Sequence, residues 1–208
     1  KCRSFSFHES RPFLLVSFMP LKHFQPFIIS LFSSVVLFVP PSLAMAQVII
    51  PRAPDIAATS YVLLDAQTGQ ILVEENADEP LPPASLTKIM TAYIAIEEII
   101  NGNLELTDQV HISEKAWRME GSKMFVDVNS QVSVEDLLRG IIIQSGNDAS
   151  VAISEHIAGS EEAFADMMNQ YSEVLGMKDS FFMNASGLDT ELYYNTMSAR
   201  DLSILATA

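Results

Sequence analysis

The stretch Ala84-Ser-Leu-Thr-Lys-Ile-Met90 places a serine three residues before a lysine, at the start of an apolar run. If a helix begins at Ser85, Lys88 lies one turn further along the same face, with Cβ atoms about 5–6 Å apart. An amine at that distance can take the proton of the serine hydroxyl, which is a poor nucleophile until a base removes it. The alternative is a helix-capping serine beside a solvent-exposed lysine, because both residue types are common.

The helix predicted over residues 85–100 bears on the role of Lys88. Its residues are apolar on nearly every side, which predicts a helix buried in the middle of the domain. A lysine in the first turn of a buried helix cannot easily stay charged without a partner, because desolvation lowers its pKa. Burial would therefore make Lys88 a better base near neutral pH.

A second polar feature, Ser145-Gly146-Asn147, joins two apolar helices. Alone, this tripeptide is typical of a helix C-cap, with glycine in the left-handed conformation and serine and asparagine as turn formers. A loop held between buried helices would also present a hydroxyl and a carboxamide at fixed positions. The hydroxyl could pass a proton to a leaving amine, and the carboxamide could hold a substrate's peptide bond and Lys88 together.

The order of elements along the chain predicts the fold class. Residues 60–64 and 70–74 predict a β-hairpin, and a third strand is expected near 110–112. Helices are expected at 137–144, opened by a capping-box-like start over 133–136, at 148–158, from Ser160 to Gly176, and from Ser198 onwards. Strands followed by helices predict an α+β domain, with a helical cluster beside an antiparallel sheet. Because two or three short strands make a poor sheet, we expect its later strands to lie beyond Ala208.

Charge and cysteine content exclude some functions. The 208-residue chain carries a formal net charge of −14, although its first 46 residues hold four basic side chains and one acidic side chain. Such an acidic body argues against a nucleic-acid partner. Cys2 is the single cysteine, so the chain after residue 46 has no disulfide and no thiolate metal site. His111 and His156 have no second ligand at metal spacing, and we interpret both as structural or surface residues.

The N-terminal segment predicts export. Residues 27–39 form an uncharged run of thirteen, too short to span a hydrocarbon core of about 30 Å comfortably as a helix. Lys22 precedes this run, and Ala44-Met45-Ala46 supplies a cleavage pattern. We therefore expect residues 1–46 to comprise an N-terminal extension and a signal peptide cleaved after Ala46, the alternative being a retained membrane anchor. Residues 1–18 are not expected to belong to the natural protein.

Ser85-Leu-Thr-Lys88, followed sixty residues later by Ser145-Gly-Asn147, resembles the penicillin-recognising serine enzymes, which carry S-x-x-K, S-x-N and K-T-G motifs. The resemblance is closer to the low-molecular-mass penicillin-binding proteins that act as D-alanyl-D-alanine carboxypeptidases. Its supporting stretches are residues 83–90, 138–149, 177–188 and 198–201. Residues 47–208 are thus expected to form the N-terminal major part of a β-lactamase/transpeptidase-like catalytic domain. The K-T-G motif, which comes later in the family, does not occur in residues 1–208.

The resemblance implies a mechanism. Ser85 would attack the carbonyl of the terminal D-Ala-D-Ala bond of a peptidoglycan stem peptide, with Lys88 as general base. An acyl-enzyme would form, and Ser145 would relay a proton to the departing D-alanine while in contact with Lys88. Asn147 would orient the substrate amide. β-Lactams would acylate Ser85, and no metal or organic cofactor is implied.

The resemblance also implies a location and leaves alternatives open. It places the protein in the periplasm or on the outer face of the cytoplasmic membrane, with peripheral membrane association through a C-terminal segment not present here. The alternatives are a D,D-endopeptidase, a class A β-lactamase and a non-catalytic penicillin or peptidoglycan binder. Gly146 argues against the β-lactamase, which commonly has aspartate in the middle of this motif. The missing third motif favours the binder and predicts little turnover by residues 1–208 alone.

Overall fold

A computed structural model describes residues 55–188 and 194–208 of the chain. The predicted signal peptide and its cleavage site after Ala46 lie outside the described residues. Within these two ranges, no helix is both long enough and apolar enough to cross a membrane.

The described residues form two small antiparallel sheets and a larger set of helices. Strands β1 (Tyr61–Leu64) and β2 (Ile71–Glu75) pair as the predicted hairpin, with Tyr61 opposite Glu75. Strands β3 (Gln109–His111) and β4 (Gln131–Ser133) form the second pair, with Val110 opposite Val132. The helices are α1 (Thr87–Ile100), α2 (Glu114–Arg118), α3 (Val134–Gln144), α4 (Asn147–Ala158), α5 (Glu161–Leu175) and α6 (Ala199–Thr207). The predicted α+β class is confirmed.

Serine N-caps begin several of these helices. The hydroxyls of Ser133, Ser160 and Ser198 each accept a hydrogen bond from the backbone N–H three residues later. Such a bond satisfies one of the amide groups that a helix start leaves without a partner. The sequence predicts these three starts but misses α2, which Ser113 caps in the same way. A helix of five residues is too short to show a 3.6-residue hydrophobic period.

Two hydrophobic clusters pack on either side of α1. The α3–α4 cluster joins residues of those helices to β3, with Leu137, Ile141 and Ile153 among its buried members. The α5 cluster joins that helix to the segment 177–185 and to α6. Helix α1 contributes Ala95 to the first cluster, and Met90 and Ile94 to the second. Helix α1 is therefore held by both clusters, and its N-terminal half packs mainly against the α5 cluster.

The prediction that the helix over residues 85–100 is buried on all sides is wrong for one face. Ile89 and Ile96 are 38% and 43% exposed, and Ile100 is 70% exposed. Ile89 and Ile96 line an open cavity rather than a packed interface. This apolar face of α1 thus borders the cavity described below, and no described residue covers it.

Candidate active site

Ser85 and Lys88 meet at the start of α1. Ser85 lies in a 3₁₀ turn, Ala84–Leu86, which leads directly into the helix, and Lys88 is the second helical residue. The Lys88 Nζ atom lies 3.2 Å from the Ser85 Oγ atom. Ser85 is exposed, whereas Lys88 is only 4% exposed. The hydroxyl is therefore accessible to a ligand, while the amine behind it is shielded from water.

Burial changes the protonation of this amine. Desolvation lowers the pKa of Lys88 from 10.5 to about 8, because removing water penalises the charged form. With a pKa near 8, about a tenth of the amine groups are neutral at pH 7. A neutral amine can accept the hydroxyl proton of Ser85.

A loop formed by residues 183–187, here called the carbonyl loop, holds the first two turns of α1. The Lys88 amine donates a hydrogen bond of 2.6 Å to the carbonyl oxygen of Ser186. The Thr91 hydroxyl, one turn further along, donates to the carbonyl oxygen of Ala185 at 2.7 Å. The first contact fixes the Lys88 amine against a backbone carbonyl 98 residues later in the sequence, and the second fastens the same loop to α1.

Gly187 lets the carbonyl loop approach the residue before Ser85. Its φ of +73° is left-handed, and a Cβ atom at this position would overlap the carbonyl group of Ala84. Ala84 itself has a φ of +46°, which is uncommon for a residue with a side chain. The turn that presents Ser85 is therefore held between α1 and a glycine that leaves room for it.

We expect Gly187→Ala to be more destabilising than Gly176→Ala. Both glycines have a positive φ, but a Cβ atom at Gly176 would meet nothing within 4 Å. Gly176→Ala, the control, should lower the free energy of unfolding by about 1–2 kcal/mol, because alanine is strained in a left-handed backbone conformation. Gly187→Ala should lower it by about 1–3 kcal/mol more, because its Cβ atom would also overlap the Ala84 carbonyl group. Urea unfolding of both variants measures the difference, and equal losses would contradict the steric argument.

The turn after α3 carries Ser145 in a left-handed conformation, with φ 54° and ψ 40°. The expectation that glycine occupies this conformation is wrong, since Gly146 has a φ of −65°. Glycine is needed at 146 for space, because a Cβ atom would lie 2.9 Å from an Asp148 carboxylate oxygen and 3.3 Å from the Gly140 carbonyl. A left-handed serine costs free energy, and such residues are concentrated at functional sites.

Asp148 is a structural residue that the sequence analysis did not identify. Its carboxylate is buried and accepts hydrogen bonds from the backbone N–H groups of Met124, Phe125 and Val126, at 2.8–3.3 Å. These bonds fasten residues 124–126 to the start of α4, next to the turn at Ser145. The signal available in the sequence was an aspartate in the first turn of α4, directly after the Ser145-Gly146-Asn147 turn.

Three of the four predicted site residues share one cavity. This cavity has a volume of about 440 Å³, and Ser85, Lys88 and Ser145 contribute to its lining. Apolar side chains of α1, α3 and α6 form most of the remaining wall, including Ile89, Tyr93, Ile142 and Leu205. An accessible hydroxyl, a buried amine and a second hydroxyl beside an apolar surface suit an acyl-transfer reaction.

Asn147, two residues after Ser145, does not line this cavity and is engaged elsewhere. Its side-chain amide donates a 2.7 Å hydrogen bond to the carbonyl oxygen of Glu120, and its backbone N–H donates to Ser122. Within the described part of the chain, neither Asn147 nor Ser145 forms a hydrogen bond with Lys88. The direct contacts of Lys88 are instead with Ser85 and Ser186.

The described ranges hold no group of three or more His, Cys, Asp or Glu side chains arranged to bind a metal ion.

Comparison with known proteins identifies relatives over most of the chain. The family model described as D-alanyl-D-alanine carboxypeptidase matches residues 47–208. D-alanyl-D-alanine carboxypeptidase DacC of Escherichia coli is 42% identical over 178 residues, covering 83% of this chain and 44% of that protein. The chain spans about two fifths of the length of the curated relatives that it matches.

Solved structures show the same fold. The structure of the D-alanyl-D-alanine carboxypeptidase DacD from Francisella tularensis matches with a TM-score of 0.74 and 42% identity, covering 79% of this chain and 40% of that one. Penicillin binding protein 5 from Haemophilus influenzae matches with a TM-score of 0.71 and 44% identity, covering 74% and 45% of the two chains. These likenesses confirm the predicted family resemblance and the transpeptidase-like fold class.

Proposed function

Since this chain belongs to the D-alanyl-D-alanine carboxypeptidase family, we propose that the protein removes the terminal D-alanine from peptidoglycan stem pentapeptides. The reaction proceeds through an acyl-enzyme on Ser85. The observation that carries this proposal is the 3.2 Å contact between the exposed Ser85 hydroxyl and the buried Lys88 amine. Residues 47–208 supply a major part of the catalytic domain.

The first half of the reaction forms the ester. The neutral Lys88 amine takes the proton of Ser85, and the Oγ atom bonds to the carbonyl carbon of the terminal D-Ala-D-Ala peptide. The tetrahedral intermediate then collapses with cleavage of the C–N bond. The leaving amine needs a proton, which Ser145 relays from the protonated Lys88. The common cavity of these three residues supports this route.

The second half of the reaction releases the shortened peptide. Water attacks the ester carbonyl, Lys88 removes a proton from that water, and Ser85 regains its hydroxyl proton as the ester opens. Asn147 orients the substrate through its Oδ1 atom, which accepts no hydrogen bond from any residue of the described ranges and can accept one from a substrate N–H.

The same nucleophile accounts for inhibition by β-lactams. Their strained amide presents a carbonyl carbon to Ser85 in place of the peptide, and the ring-opened product remains as an ester. The likeness to penicillin binding protein 5 supports this part of the proposal. The apolar segment at 27–39 and the Ala44–Ala46 cleavage pattern support export to the periplasm, where peptidoglycan lies. Peripheral membrane association of the complete protein is part of the same proposal.

We expect the complete gene product to release one D-alanine per molecule of synthetic pentapeptide ending in D-Ala-D-Ala. The assay measures free D-alanine, with parallel incubations containing penicillin or a cross-linked peptide dimer. Rapid penicillin hydrolysis without D-alanine release would instead identify a β-lactamase. Cleavage of the dimer alone would identify an endopeptidase, and penicillin labelling without any turnover would identify a binder.

A further inference from the structure

We infer that Glu161 is a positioning residue for this reaction, because its carboxylate anchors the carbonyl loop that holds the Lys88 amine. The inference rests on the proposed function, in which Lys88 is the base. Nothing in the S-x-x-K or S-x-N motifs points to Glu161, which lies in neither motif and does not line the cavity shared by Ser85 and Lys88.

The anchor acts through consecutive peptide groups. The Glu161 Oε1 atom accepts a 3.1 Å hydrogen bond from the backbone N–H of Ala185. The carbonyl of Ala185 then accepts from Thr91, and the carbonyl of Ser186 accepts from Lys88. Glu161 therefore holds the N–H group immediately before the two carbonyls that grip α1.

Neutral amide side chains fix the rest of the carbonyl loop. The Asn184 Oδ1 atom accepts from the N–H groups of Ser186 and Gly187, at 3.1 and 2.7 Å. Asn195 accepts from Met183 N–H at 2.7 Å. Glu161, unlike these two asparagines, is a charged acceptor. Hydrogen bonds to ionised groups are roughly twice as strong as hydrogen bonds between neutral groups.

Glu161 is itself rigidly placed. It is the first residue of α5, directly after the Ser160 N-cap, and it is 7% exposed. The positive end of the helix dipole favours a carboxylate there. Its second oxygen, Oε2, lies 3.0 Å from the Lys115 amine. Both carboxylate oxygens thus have fixed partners, one of which is the carbonyl loop.

The neighbouring Glu162 provides a matched control. Its carboxylate lies 2.9 Å from the same Lys115 amine, but its side chain is 77% exposed. Glu162 makes no hydrogen bond to the carbonyl loop among the described residues. Both adjacent glutamates therefore form an ion pair with Lys115, but of the two only Glu161 accepts a hydrogen bond from Ala185.

The orientation of the lysine explains why this anchor matters for the reaction. A neutral amine has one lone pair. The hydrogen bond from one Lys88 N–H to the Ser186 carbonyl oxygen orients the amine so that this lone pair can face Ser85. Loosening the carbonyl loop lets the Lys88 side chain leave this geometry. A displacement of about 1 Å in a reacting group can cost about a hundredfold in rate.

The test measures acylation by a fluorescent penicillin in the complete gene product, separating the initial binding constant from the first-order acylation constant. We expect Glu161→Ala to lower the acylation constant about tenfold without changing initial binding. Glu161→Gln keeps an oxygen that can accept from Ala185, so it should recover most of the rate. Glu162→Ala should react like the unsubstituted protein.

Two results would overturn the inference. An unchanged acylation constant in Glu161→Ala would show that the anchor is not needed. Equal losses in Glu161→Ala and Glu161→Gln would assign the effect to the charge beside Lys115. If Glu161→Ala does not fold, Glu161→Asp, whose carboxylate is one methylene too short to reach Ala185, replaces it under the same criteria. Failure of the unsubstituted protein to react would contradict the proposed function itself, whereas normal reaction of Glu161→Ala contradicts the positioning role alone.

Discussion

Replacing Ser85 by alanine abolishes covalent labelling by fluorescent penicillin and lowers D-alanine release by at least about a thousandfold; this is the largest effect that we expect. Without the hydroxyl no acyl-enzyme can form, and loss of a serine nucleophile in other enzymes costs about 10⁶ in rate. The fold should survive, because Ser85 is exposed and its side chain bonds only to Lys88 within the described residues.

Mass spectrometry of the labelled protein locates the adduct and measures the loss. Ser203→Ala is a suitable control, since its hydroxyl bonds to a backbone carbonyl within α6 and does not line the cavity. A penicillin adduct that persists in Ser85→Ala would refute Ser85 as the nucleophile. An adduct on Ser145 would exchange the roles of the two hydroxyls.

Replacing Lys88 by methionine is expected to lower the acylation constant by about 10²–10⁴, the usual contribution of a general base. Methionine is similar in length and apolar, so it fills the buried site without an ionisable group. Lys178→Met is the matched control, because Lys178 is exposed. A rate within a few fold of the unsubstituted protein would show that another group removes the proton of Ser85.

The pH dependence of acylation gives an independent test of Lys88. Only the neutral amine can accept a proton, and burial lowers its pKa to about 8. Below pH 8 the neutral fraction rises about tenfold per pH unit, and above pH 8 it levels off. The acylation constant of the unsubstituted protein should follow this curve. Lys88→Met should lose the rise, and a rise that persists in the variant would assign the titration to another group.

The sequence predicts the parts of the site that depend on local geometry. Ser85 and Lys88 are three residues apart, so helical spacing alone brings their side chains together. The serine caps at 133, 160 and 198 are likewise local, since each bonds to an amide three residues away. Hairpin pairing of β1 and β2 follows from the short turn between two runs of β-forming residues.

The parts that escaped prediction depend on contacts between distant residues. The Lys88 amine meets Ser186, 98 positions away, and the Asp148 carboxylate meets backbone groups 22–24 positions earlier. No periodic pattern encodes such pairs, because they result from the packing of whole elements. The same holds for the exposed face of α1, because its isoleucines are as apolar as the side chains of a buried face. The reason for a glycine at position 146 was predicted wrongly, because the requirement is one of space rather than of backbone conformation. Asp148 and Gly140 leave no room for a Cβ atom there.

The division of the hydrophobic interior into two clusters has a consequence for the cleft. The carbonyl loop and its anchor belong with the α5 cluster, which includes Phe182 and Ala185. The turn at Ser145 belongs with the α3–α4 cluster, which includes Ile141 and Ala149. The groups that support Lys88 and the turn that carries Ser145 thus belong to different hydrophobic clusters, and α1 contributes side chains to both. The spacing between Ser85 and Ser145 therefore depends on how both clusters pack against α1.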